Sequence, residues 1–325
     1  MKLLTRARRF CVRDEKSNRE IIEMGLKKKI LITGSNGLLG QKLVAQLAES
    51  DIFELIATSR GENRILKVTG FTYEPMDITS EKDVMRVFDL YEPDVIINTA
   101  AMTNVDLCES HKEACQELNV TAVEHLIQAA EKHITHFIHL STDFIFDGMA
   151  GPYKETDEPN PLSYYGESKL ASEKALQNSN CKWAIARTII VYGIVEDMSR
   201  SNIVLWAKGA LEKRQRLTIV NDQFRSPTLA EDLAKGCVLI AEQGAEGVYN
   251  ISGKDTMSIV DLVRRVARYY KLDESYIEEI SSASLNQAAK RPPTTGFVID
   301  KAIKDLGYSP VSFEDGIKFL ESQLN

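Results

Sequence analysis

The segment that most constrains this chain is Gly34-Ser35-Asn36-Gly37-Leu38-Leu39-Gly40, set between the apolar run KKILITG and the helical pattern GLLGQKLVAQLAES. Glycines at such a junction let the backbone turn tightly and approach a ligand with no Cβ in the way. The helix that follows offers free N–H groups and the positive end of its dipole, which together favour a phosphate. A third glycine lets helix and strand pack closely. A strand–turn–helix unit of this kind reads as the pyrophosphate cradle of a dinucleotide-binding fold.

The rest of the chain repeats that rhythm. Residues 54–60 and 71–77 read as strands, and Ser80 as the cap of a helix reaching about residue 91. The unbroken apolar run DVIINTAA (94–101) reads as a strand buried on both faces. A long helix over 111–133, a strand over 136–146, a helix over 163–179 and a buried strand over 182–193 follow. Regular alternation predicts an α/β fold, a Rossmann-like doubly wound parallel sheet with helices on both faces. Beyond residue 193 the rhythm loosens into helices at about 201–215, 229–243 and 258–272, a loop with Arg291-Pro292-Pro293, and two closing helices. We therefore expect a peripheral extension over 1–26, an NAD(P)-binding domain over 27–193, and a smaller mixed α/β substrate lobe over 194–325. Segments of that lobe could return to the main sheet.

Composition narrows the partners. The 40 basic and 47 acidic residues leave a net charge of −7, which argues against nucleic-acid binding. No run approaches the ~20 apolar residues of a membrane span. Five cysteines with no CxxC pair suit free thiols in a reducing, cytoplasmic setting. His133, His136 and His139 are spaced as HxxHxxH, but across a helix–strand junction they cannot converge, and no metal site is expected. Residues 1–13 are basic and faintly resemble a transit peptide, a pattern that the acids at 14, 15, 20 and 23 then break.

Cofactor choice is read at the end of the second strand, where an acid would favour the ribose 2′-OH of NAD and an arginine the 2′-phosphate of NADP. The strand ends Thr58-Ser59-Arg60, with Arg64 nearby, so NADPH is expected, with Glu62 leaving NADH use open. Tyr165 and Lys169 in YGESK lie one helical turn apart and face one cleft. A cation there is expected to lower the phenol toward the working range, so that Tyr165 acts as acid or base at a carbonyl. Lys169 would also hold the nicotinamide ribose. Ser141-Thr142-Asp143 ends the strand leading into that cleft. Thr142 is the first candidate to position a substrate carbonyl and Ser141 the second.

These motifs carry a family resemblance. ITGSNGLLG is similar to the cofactor turn of the extended short-chain dehydrogenase/reductases. That resemblance implies adenine-side contacts from Asp77 and Ile78, a strand end near the adenine ribose at Asn98, Ala100 and Ala101, and a proton relay through Asn119. HLSTDFIFDG, PYKETDEPNPLSYYGESKLASEK, RTIIVYG and DQFRSPTLAEDLA resemble the dTDP-4-dehydrorhamnose reductases, the RmlD-like substrate-binding family, from about residue 28 onward. The resemblance implies NAD(P)H-dependent reduction of the C4 keto group of a nucleotide-linked deoxysugar by Thr142, Tyr165 and Lys169. A nucleotide-sugar substrate and a homodimer are the partners it suggests. Two departures fall on the substrate side. Ile190 stands where the family's RTSWVYG has tryptophan, and Arg225 where its DQFGAPT has glycine. Arg225 could bind substrate phosphate or fill the sugar pocket; Arg291 is a second diphosphate candidate. The same motifs resemble sugar-nucleotide epimerases and dehydratases, and the regulatory NADP-binding beta subunit of methionine adenosyltransferase.

Overall fold

The computed structural model describes residues 27–196, 202–285 and 287–324; the leader discussed above lies outside them. β1 (Lys28–Thr33) runs into the glycine turn and α1 (Leu38–Leu47), followed by β2 (Phe53–Ser59), β3 (Thr72–Pro75), α2 (Glu81–Tyr91) and β4 (Val95–Asn98). Next come α3 (Val105–Ser110), α4 (Lys112–Gln116), α5 (Ala122–His133), β5 (His136–Thr142), α6 (Tyr164–Gln177) and β6 (Trp183–Thr188). β7 (Val191–Tyr192), α7 (Ile203–Glu212), β8 (Leu217–Val220), β9 (Phe224–Arg225), β10 (Thr228–Leu229) and α8 (Ala230–Gln243) lead to β11 (Gly247–Asn250). The chain closes with β12 (Met257–Ser258), α9 (Ile259–Tyr269), β13 (Ile277–Ile280), α10 (Asp300–Leu306) and α11 (Phe313–Leu324).

Seven strands form one sheet in the order β11-β6-β5-β4-β1-β2-β3, every pair parallel. The order reverses between β1 and β4, which opens a crevice at their carboxyl ends, the place where such sheets bind ligands. Period-2 alternation explains the unbroken apolar strands. Ile30, Ile32, Ile97 and Ile138 pack on one face with Leu43, Val44 and Leu233. Leu31, Ile96 and Phe137 pack on the other with Phe88 and Leu126.

Part of the chain beyond residue 193 joins this sheet. β11 pairs with β6 at the sheet edge, and α8 meets α1 through the Lys42–Glu231 ion pair at 2.9 Å. A second core, with Val204, Ile219, Val263, Ile317 and Leu320, unites α7, β8, α9 and α11. There β8 pairs with β13 and β9 with β12.

Three expected elements are divided. The helix read over 111–133 does start at His111, its N-cap, but a π-helical turn over Glu117–Thr121 divides it into α4 and α5. The strand read to 146 ends at Thr142, whose hydroxyl accepts from Phe144 N and starts a 3₁₀ turn. The strand read over 182–193 stops at Thr188. Ile190 then takes φ +33°, a left-handed conformation that strains a β-branched residue, and β7 leaves the sheet to pair with β10. Periodicity could not reveal this, because all three residues at 189–191 are apolar and β-branched. Thr228 holds the break, donating Oγ1 to Ile189 O (2.7 Å) and N to Ile190 O (3.1 Å).

Candidate active site

The glycine turn is built as its spacing predicts. Gly34 has φ +66°, and a Cβ there would lie 2.8 Å from Thr99 Oγ1; at Gly40 a Cβ would lie 2.6 Å from Ser35 Cα and collide with Gly34 O. The first needs glycine for conformation, the second for helix–turn contact. α1 begins at Gly37 with no side-chain cap and no acid in its first turn, whereas α2, α6 and α9 are capped by Ser80, Ser163 and Ser258. The uncapped donors of α1, beside a buried Ser35 hydroxyl that has no partner, fit the diphosphate of a dinucleotide. Leu38 and Leu39 occupy that first turn.

Asn36 organises the adjoining edge. Its amide donates to Glu62 O (2.9 Å), and its oxygen accepts from Arg64 N (2.9 Å). This ties the loop after Ser59 and the exposed Arg60 to the glycine turn. Asp77 turns inward on its own loop, accepting from Thr79 N and Oγ1 at 3.0 and 2.8 Å, and Ile78 is buried. Beyond Asn98, Ala100 N meets Thr33 Oγ1 at 3.4 Å, and Ala101 follows at the crevice.

The reacting candidates converge at the end of β5. Thr142 and Tyr165 are 7% and 8% exposed, and the Thr142 hydroxyl lies by the phenol and acts on its acidity. Gly166 allows this approach, because a Cβ there would collide with Phe144 O. Burial pushes the Tyr165 phenol well above its ordinary range; the Thr142 contact opposes this, and Asp143, Cys108 and Cys115 add to it. That corrects the expectation of a phenol lowered by Lys169. Desolvation outweighs any neighbouring cation, and Lys169 turns elsewhere.

Lys169 is 3% exposed, and its ammonium meets His139 Nε2 at 3.1 Å. Burial pushes it down to about 8, against the pull of Glu173. His139 also meets Ser172 Oγ at 3.0 Å and the Asn98 amide at 3.2 Å, and Thr33 Oγ1 donates to Asn98 Oδ1 at 2.5 Å. A buried polar chain therefore crosses the sheet from the glycine-turn strand to Lys169. Sequence reasoning missed His139 as a site residue because it entered only through the HxxHxxH spacing. The three histidines go three ways: His133 to Asp89 (2.9 Å), His136 to the backbone near Ala245, and His139 to Lys169.

Asn119, expected in a relay, is engaged structurally. Its oxygen accepts from Met102 N (2.8 Å), and its amide donates to Met102 O and Ser168 Oγ, both at 3.0 Å. The π-helical turn aims it there. Ser141 Oγ is buried without a partner.

Neither predicted phosphate arginine is placed as expected. Arg291 pairs with Asp106 at 2.6 Å and also donates to Ala289 O, which holds Asp106 below the usual carboxylate range. Arg225 is fully buried, with its donors on three backbone carbonyls and Asp143 beside it. Arg225 was expected to bind substrate phosphate or to fill the sugar pocket, and Arg291 to bind the diphosphate; of the groups that hold them, Phe224 and Ala289 are near in sequence and Pro292, Pro293 and Asp106 far away. A further buried pair, unseen in the sequence, joins α6 to β6: Arg187 donates to Glu173 at 2.7 and 3.0 Å.

Residues 28–324 match the family described as RmlD substrate binding domain. A dTDP-4-dehydrorhamnose reductase of Aggregatibacter actinomycetemcomitans is 30% identical over 302 residues, covering 89% of this chain and 97% of that one. The methionine adenosyltransferase 2 subunit beta of Danio rerio is 31% identical over 270 residues, covering 82% and 81%. The crystal structure of a dTDP-4-dehydrorhamnose reductase from Clostridium acetobutylicum superposes with a TM-score of 0.79 at 28% identity, over 91% of this chain and 99% of that one. Among the described residues, no helix is long and apolar enough to cross a membrane.

Proposed function

The chain belongs to the RmlD substrate binding domain family, and from that premise we propose that it reduces the C4 keto group of a nucleotide-linked 6-deoxyhexose. It is an NAD(P)H-dependent oxidoreductase of the short-chain dehydrogenase/reductase type, working in the cytoplasm. The observation that carries the reading is the buried pair Thr142 and Tyr165 at the carboxyl end of β5, with Lys169 one turn along α6.

When bound, the reduced nicotinamide supplies the hydride. Tyr165 gives the carbonyl oxygen a proton as negative charge develops on it, and Thr142, whose own proton lies on Asp143 Oδ1, orients that phenol. The phenol is protonated at neutral pH, as the acid of a reduction must be, and its raised range makes it a weaker donor until charge develops on the carbonyl oxygen. Lys169 is placed to engage the nicotinamide ribose. The open N-terminus of α1 and Gly34, Gly37 and Gly40 receive the diphosphate. Asp77, Ile78, Asn98, Ala100 and Ala101 line the adenosine side, and Arg60 takes the 2′-phosphate of NADPH.

The test is NADPH consumption, followed by absorbance, against dTDP-, UDP-, GDP- and CDP-linked 4-keto-6-deoxyhexoses. Stoichiometric oxidation of NADPH with one of them supports a reductase. Turnover without net consumption would indicate an epimerase or dehydratase, whose cofactor is regenerated within the cycle. The similarity to a methionine adenosyltransferase beta subunit supports a second reading, a regulatory subunit that binds NADP and turns over no sugar. Co-purification with an adenosyltransferase and no oxidation across the panel would favour it.

A further inference from the structure

Arg225 and Asp143 are oppositely charged side chains buried together beside the reacting hydroxyls, each 2% exposed. An isolated charge at such a site is strongly unfavourable, so each requires a full set of partners. Arg225 Nη1 donates to Phe224 O (2.7 Å) and Pro293 O (3.0 Å), and Nη2 to Pro292 O (2.6 Å). Its Nε lies 3.5 Å from Asp143 Oδ2. That same oxygen accepts from Thr295 Oγ1, while Oδ1 accepts from Thr142 Oγ1 at 3.1 Å.

A threonine hydroxyl has one proton and two lone pairs. With its proton committed to Asp143, the Thr142 oxygen presents lone pairs to its other neighbours: Phe144 N, at 3.3 Å, and the Tyr165 phenol. The orientation of the hydroxyl thus depends on Asp143 being an acceptor. We propose that Arg225 is a positioning residue for the reaction: anchored on the carbonyls of 224, 292 and 293, it keeps Asp143 a carboxylate and so fixes which way Thr142 points at Tyr165. The proposal rests on the reading of Thr142 and Tyr165 as the reacting pair.

The groups facing Asp143 are Arg225 from β9, Thr295 from the 287–299 loop, Thr142 on its own strand and Tyr165 from α6; Arg291 acts on Arg225 from the same loop. Burial pushes Asp143 up, and Arg225 is the foremost group opposing it. Without that cation Asp143 takes up a proton at higher pH and becomes a donor, which reverses Thr142.

The experiment compares wild type with Arg225→Met, Arg225→Gln and Arg225→Lys; glutamine keeps donors for the carbonyls and serves if methionine prevents folding. The first readout needs no turnover: the infrared carboxyl stretch of Asp143, assigned by its loss in Asp143→Asn, is titrated with pH. The second is the pH profile of kcat with NADPH and the keto-sugar. In the neutral variants, the carboxyl band is expected to appear about one pH unit higher. The ratio of kcat at pH 8 to that at pH 6 should rise, by up to about sixfold for a shift of that size, with KM within about threefold of wild type. Lysine should restore both. An unmoved infrared midpoint, or a kcat loss equal at all pH values, overturns the proposal. If wild type oxidises NADPH with no sugar, the functional reading fails while the infrared titration still decides the role of Arg225 toward Asp143.

Discussion

The Lys169 ammonium lies 3.1 Å from Nε2 of His139, a buried imidazole that burial and the adjacent lysine hold well below its ordinary range. The Asn98 amide donates to Nδ1, so the neutral ring carries its proton on Nε2, and that N–H faces the ammonium without accepting from it. Burial has already brought Lys169 to about 8, with Glu173 as the opposing carboxylate. Little margin is left near physiological pH.

The expected consequence is an alkaline limb in kcat/KM near pH 8, since activity requires the charged lysine and is lost as pH rises through its pKa. Glu173→Gln removes the foremost group opposing burial and should move that limb to lower pH. A limb that this variant leaves unmoved would mean that it does not report the Lys169 charge.

Tyr165→Phe should lower kcat by roughly 10²–10⁴-fold while NADPH binding, read by fluorescence quenching, stays near wild type. The ring keeps its edge contact with Phe144, centroids 5.7 Å apart, so the fold should persist. Near wild-type turnover would end the assignment of the phenol as acid.

Arg60→Ala should weaken NADPH binding and leave NADH binding unchanged. Arg60 belongs to an exposed loop that Asn36 ties to the glycine turn, within reach of a 2′-phosphate there. Titration of both dinucleotides checks this, and equal changes for the two would point to the diphosphate or to the fold instead.

What the sequence made legible was local. The glycine turn could be read because three glycines within seven residues have one steric use between a strand and a helix. Tyr165 and Lys169 could be paired because a helix fixes what lies four residues on. The partners of Arg225, expected either to bind phosphate or to fill the sugar pocket, and of Arg291 were hidden for the opposite reason: Pro292, Pro293 and Asp106 are 67, 68 and 185 residues away, and nothing in local spacing announces them. The π-helical turn at Glu117–Thr121 and the break at Ile190 were hidden by residues that suit both a continued element and its interruption. The Tyr165 shift was misjudged because burial is a property of the packed cleft, not of the YGESK motif.

Gly40→Ala should destabilise the protein by about 1–3 kcal/mol, the usual range for overpacking, and weaken NADPH binding together with it. The added methyl would meet the Gly34 carbonyl and Ser35 Cα, both backbone. It therefore opens the turn rather than displacing a side chain. Urea unfolding and dinucleotide titration check the two effects. Loss of stability with unchanged affinity would separate the packing role of Gly40 from the cradle.

The Arg187–Glu173 pair offers a test of stability apart from chemistry. Both side chains are almost wholly buried at 2.7 Å; Arg187 also donates to Glu155 O at 3.2 Å and lies over the Phe146 ring at 5.4 Å. Removing one member leaves the other charge in the core, so Arg187→Ala should cost about 3–5 kcal/mol. Replacing both, as Arg187→Met with Glu173→Leu, should recover most of that, since a buried pair contributes little beyond an apolar pair of similar volume. Urea midpoints of the two single variants and the double variant measure the coupling. Glu173 also supports the charge on Lys169, so a double variant restored in stability should still show the alkaline limb at lower pH than wild type. A double variant as unstable as Arg187→Ala alone would show that the Glu155 and Phe146 contacts, rather than the charge pair, secure this part of the core.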